Sequence, residues 1–71
     1  MNEWISTQQS SNIAGFSYDE TNQTLTVEFH SGARYNYYDV PSHVYENMKT
    51  APSYGKFLNS EIKGAYRYAR Q

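Results

Sequence analysis

Between residues 24 and 39 the chain reads TLTVEFHSGARYNYYD, with its apolar positions recurring every second residue. Leu25, Val27 and Phe29 alternate with Thr24, Thr26, Glu28 and His30, the period of a strand buried on one face. Ser31 and Gly32 then supply a tight turn, the glycine admitting positive φ. On the returning arm Tyr35 and Tyr37 share one face, and Arg34, Asn36 and Tyr38 the other. Pairing across the hairpin sets Leu25, Val27 and Phe29 beside Tyr35 and Tyr37, so these two rings are expected in the core. Arg34 and Tyr38 fall on the wetter face. There Tyr38 has two readings: a strand former with a polar tip, or a surface on which a base can stack.

The flanking segments extend this hairpin in both directions. Residues 12–19, NIAGFSYD, predict a preceding strand with Ile13, Gly15 and Ser17 on one face and Ala14, Phe16 and Tyr18 on the other. Phe16 and Tyr18 make the heavier face and are expected inward. Residues 19–23 form a polar connection of hairpin length, giving a three-stranded antiparallel meander. Pro41 closes the sheet, because it cannot continue a central ladder, and suits the first turn of a helix. Over residues 41–51, Val44, Met48 and Ala51 recur at helical spacing with Tyr45 alongside. Pro52 stops that helix, and Ser53 is a ready N-cap for a second over residues 54–63, with Phe57, Leu58 and Ile62 as its apolar stripe. Gly64 stands where a helix end favours positive φ. The predicted fold class is therefore α+β, a small three-stranded antiparallel meander followed by two short helices packed on one face. Residues 12–71 form the single domain. Residues 1–11 are a polar leading segment broken by Trp4 and Ile5; Trp4 either tucks onto the sheet, adds an edge strand or awaits a partner, the first two being favoured. The tail AYRYARQ alternates in a way that suits an extended path.

Composition narrows the picture. At 71 residues a chain buries only about 60% of its unfolded surface, so stability is marginal. No cysteine is present to staple it, and eight tyrosines, three phenylalanines and one tryptophan supply the bulk instead. The net charge of -1 argues against strong nonspecific attraction to polyanions. The charges are unevenly placed. Residues 1–39 hold Glu3, Asp19, Glu20, Glu28 and Asp39 against Arg34, whereas residues 40–71 hold Lys49, Lys56, Lys63, Arg67 and Arg70 against Glu46 and Glu61. An anion-binding face is therefore expected from the C-terminal third. No basic stretch leads into an apolar run, and none approaches the roughly 20 apolar residues of a membrane span, so a cytoplasmic location without membrane partners is expected.

Catalytic signatures do not assemble. His30 and His43 lie on different elements without a third metal ligand nearby in sequence. Ser42 and His43 are adjacent, so their side chains diverge, and no serine sits in an elbow motif. Asp19 and Asp39 at strand ends have ordinary turn and helix-start explanations. The four glycines stand singly, not in a phosphate loop. The expectation is a non-catalytic domain without cofactor or metal.

Several pieces in order resemble the KTSC domain, named after the C-terminal region of some lysyl-tRNA synthetases. They are Ser10-Ser11-Asn12-Ile13, Tyr18-Asp19, Leu25-Thr26-Val27-Glu28-Phe29 and Ser31-Gly32, then Tyr35-Asn36-Tyr37, which matches the family's YxY motif. Val40-Pro41, Val44-Tyr45, Ala51-Pro52-Ser53, Gly55, Phe57-Leu58-Asn59, Ile62-Lys63 and Tyr66 complete the set. Arg67 departs from the pattern, standing where a proline often follows the tyrosine, so the resemblance implies nothing about the path of the last residues. It implies a small domain of no established function, for which RNA binding has been suggested through the synthetase connection.

On that basis Lys56, Lys63, Arg67 and Arg70 are the candidates to meet phosphates, and Tyr38, Tyr66 and Tyr68 to stack on unpaired bases, with Arg34 able to serve either role. Two alternatives use the same residue types. One is a protein-interaction module, self-association through a sheet edge included, since tyrosine and arginine dominate interface hot spots. The other is a sequestering binder of small phosphorylated nucleotides, which requires a preformed pocket.

Overall fold

The period-2 stretches of the chain become strands, and a single sheet gathers them all. The computed structural model describes residues 4–7 and 12–71. In chain order the elements are β1 (Ile5–Ser6), β2 (Ile13–Asp19), β3 (Thr24–Phe29), β4 (Arg34–Tyr37), α1 (Ser42–Lys49), α2 (Tyr54–Phe57), a π-helical turn (Leu58–Ile62) that continues α2, and β5 (Tyr68–Arg70). The strands are antiparallel and lie in the order β1-β2-β3-β4-β5. The α+β class holds, but among the described residues the sheet has five strands where the sequence predicts three. The two additions are the edges: β1 is too short to show an alternation, and β5 is exposed along its length and carries no apolar period. Of the leading segment expected over residues 1–11, positions 1–3 and 8–11 lie outside the described residues.

The central register is the one the alternation requires. Leu25 pairs with Tyr37 and Val27 with Tyr35, which puts both tyrosines on the core face. Gly32 takes φ 95° in the connecting turn. β2 departs from simple alternation. Ile13 pairs with Phe29 but Gly15 pairs with Glu28, so an extra residue bulges between them and turns Ile13 onto the face of Phe16 and Tyr18. Ile13 is fully buried as a result, correcting the expectation that it faces away.

The helices cover one part of this sheet. Tyr45 stacks on Tyr18, with ring centroids 4.7 Å apart, and meets Phe16 edge-on, as does Tyr54. Met48, Leu58 and Ile62 complete the core beneath them. Pro41 stands just outside α1 as its N-cap, not inside its first turn. The Ser53 hydroxyl accepts from the Lys56 N–H and caps α2. The second helix does not run on as a regular α-helix to residue 63. Its last turn widens, with Lys63 N donating to Leu58 O at 2.8 Å, and both Leu58 and Ile62 stay buried.

Candidate binding groove

The helices pack on Phe16 and Tyr18 of β2, and the same face of the sheet opens into a groove along β4 and β5. What lies there is a cluster of rings. Tyr35 and Tyr37 project from β4, and Tyr68 from β5, where it is paired with Tyr37. Tyr68 lies 5.7 Å from each of the other two rings, centroid to centroid, and Tyr35 to Tyr37 is 6.5 Å. Phe29 meets Tyr35 edge-on at 5.6 Å. Together with Asn12, His30, Ser31, Ala33, Lys63 and Gly64 these residues line an open groove of about 780 Å³.

Its floor and rim differ. Tyr37 is 2% exposed, whereas Tyr68 is 57% exposed, so one wall of the groove is a ring with a free face. Burial, reinforced by Tyr35 and Tyr68, pushes the Tyr37 hydroxyl above its usual pKa and keeps it neutral. The Lys63 ammonium stands over the Phe29 ring, 5.5 Å from its centroid. Arg70 pairs with Tyr35 in the β4–β5 register and therefore projects on the groove side. Neither Lys63 nor Arg70 joins the ion pairs among the described residues, which are Arg34–Glu28, Lys49–Glu46 and Arg67–Asp39.

The eight candidate residues thus separate into groups. Lys63 and Tyr68 line the groove, and Arg70 shares its face of the sheet without lining it. Arg67 and Tyr38 form a second unit: the guanidinium lies over the Tyr38 ring at 5.4 Å and reaches Asp39 at 3.6 Å. Arg34 is on the opposite face of the sheet, bridged to Glu28 at 3.1 Å and resting 5.1 Å from the Trp4 ring centroid. Lys56 is exposed on α2, and Tyr66 is half-buried against the core. The alternation favours packing for Tyr35, Tyr37 and Phe29; all three also line the groove. An uninterrupted tyrosine-rich arm was the only available signal, because whether helices cover it depends on the tertiary arrangement.

A five-stranded meander with two short helices on one face and an aromatic groove beside them defines a small α+β domain. Comparison with known proteins is consistent over nearly the whole chain, and the chain belongs to the KTSC domain family, matching it over residues 9–66. It is 45% identical over 60 residues to a lysine–tRNA ligase of Nostoc punctiforme, covering 84% of this chain and 11% of the ligase. It is also 43% identical over 63 residues to an uncharacterised protein of Stutzerimonas stutzeri, of which it covers 89%. Among solved structures, a KTSC domain protein from Yersinia pestis superposes with a TM-score of 0.92 at 28% identity, over 100% of this chain and 99% of the other. The chain therefore spans about a ninth of the ligases it matches. No helix among the described residues is long and apolar enough to cross a membrane.

Proposed function

We propose that this KTSC domain is a non-catalytic binding module that holds unpaired RNA in the tyrosine groove. The observation that carries the reading is the grouping of Tyr35, Tyr37 and Tyr68 along one open groove that Lys63 also lines, with Arg70 on the same face of the sheet. The free face of Tyr68 is a platform for a base, and stacking is tolerant of sequence because every base has a π-face. Lys63 and Arg70 would meet the phosphates on either side. Occurrence of related domains within lysine–tRNA ligases is in keeping with an RNA ligand. The groove volume also falls in the range of pockets for small molecules, about 300–1,000 Å³, which favours a phosphorylated nucleotide as the second reading.

Titrating labelled single-stranded RNA into the protein at two salt concentrations tests this. Tyr68→Ala should weaken binding by about 5- to 100-fold, the usual range for loss of one stacked base. Lys63→Ala and Arg70→Ala should each weaken it and flatten its salt dependence, since fewer counterions are released. Arg67→Ala, whose guanidinium is already held by Asp39 and Tyr38, should matter less. Absence of binding even at low salt would sink the RNA reading. Saturable binding of a mononucleotide alone would select the second.

A further inference from the structure

The outer edge of β5 is self-complementary, and we infer that two copies of this chain pair through it. Hydrogen-bond parity along β4 and β5 leaves that edge open. Tyr38 N donates to Arg67 O and Gln71 N to Arg34 O, both at 2.8 Å. The register between them places Asn36 opposite Ala69. In an antiparallel ladder hydrogen-bonded pairs alternate with non-bonded ones, so the Arg34–Gln71, Asn36–Ala69 and Tyr38–Arg67 pairs are bonded. Tyr68 and Arg70 occupy the non-bonded positions. Their N–H and C=O groups consequently point away from β4, toward the open side of the sheet.

A two-fold axis through Ala69 uses all of these groups. It sets Tyr68 of one copy opposite Arg70 of the other, twice, closing four main-chain hydrogen bonds. The interface is isologous, as a closed dimer requires. Arg70 of each copy then lies beside Tyr68 of its mate on the groove face, in position for a cation–π contact. On the opposite face the close-approaching pair is alanine against alanine, with Cα atoms about 4.5 Å apart. Shifting the axis onto Arg70 would instead set guanidinium against guanidinium. The Ala69-centred sheet has ten strands, with the helices of both copies on one side and the two tyrosine grooves joined across the axis. Each groove thereby receives a cation from the other copy.

Sedimentation of the full chain without RNA tests the inference independently of the ligand. A three-residue edge buries little area, so dimerisation should be weak and concentration-dependent. Arg70→Pro removes the side chain together with an outward N–H, but no hydrogen bond to β4, and should leave a folded monomer. Arg70→Ala keeps that N–H and should weaken the dimer about 3- to 10-fold. The chain has no cysteine, so Ala69→Cys adds a single thiol, and two thiols at this separation fall within disulfide reach. Under oxidation it should cross-link at least tenfold faster than Glu20→Cys, which sits on an exposed turn. A monomer at every concentration, a dimer unaffected by Arg70→Pro, or equal cross-linking of the two cysteine variants would each overturn the proposal.

Discussion

At Gly15 an added methyl group would come within 2.6 Å of the Trp4 indole, which lies flat against that glycine on the unroofed face. Trp4 is 40% exposed, so it can lift away. Gly15→Ala should therefore shift the fluorescence of this sole tryptophan to the red while lowering stability by about 1 kcal/mol or less. Tyr37 behaves oppositely. Truncating a ring that is almost wholly enclosed should cost about 3–5 kcal/mol in urea denaturation of Tyr37→Ala. Tyr18, whose hydroxyl donates to Val40 O, has its pKa raised by burial and by the nearby Glu20 and Asp19. With Tyr18 and Tyr37 both raised, the folded state holds protons that the unfolded chain releases above about pH 10. Their contribution is thus complete below pH 10 and declines as pH rises through the folded values. Ultraviolet titration should find these two ionising above the usual tyrosine value, and the alkaline loss of stability should be smaller in Tyr37→Phe. The burial of Tyr37 was legible because alternation dictates register. Trp4 tucks onto the sheet, one of the two favoured readings, but its seat on Gly15 was not legible, since it joins a residue just before β1 to one on β2 through one missing side chain.

Among the elements, those with a strong period were readable and those shaped by a local irregularity were not. Strands β2, β3 and β4 and helix α1 follow from spacing alone. The bulge in β2 does not: strict alternation keeps Ile13 off the core face, and only one extra residue opposite Phe29 and Glu28 brings it in. The widened turn after α2 is a similar case. Leu58 and Ile62 are four apart, a spacing that an ordinary helix also tolerates, so sequence could not tell the two apart. Because both side chains are fully buried, Ile62→Ala should cost about 2–5 kcal/mol, measurable as a lower urea midpoint. It should also loosen Lys63, the next residue, and with it one flank of the groove.

For the molecule as a whole, the decisive fact is what the helices leave bare. Composition identified Lys63, Tyr68 and Arg70 as binding candidates, because the C-terminal third gathers the bases and interleaves them with tyrosine. It could not identify the wall they face, since Phe29, Tyr35 and Tyr37 read equally well as core and are in fact shared between core and groove. Removing residues 68–71 should therefore do two things at once: uncover Tyr37, lowering the melting temperature, and abolish the RNA binding proposed for the groove. A truncated protein that still bound RNA with full affinity would place the site elsewhere. The strand order carries its own kinetic consequence. Every strand neighbours only the strands adjacent to it in sequence, so nearly all pairing closes short loops, and only β5 must travel back across two helices to find its place beside β4. Chains with such local wiring reach their transition state quickly. The sheet should accordingly assemble from β2 to β4 first, with the docking of β5 as a late event that finishes the aromatic wall.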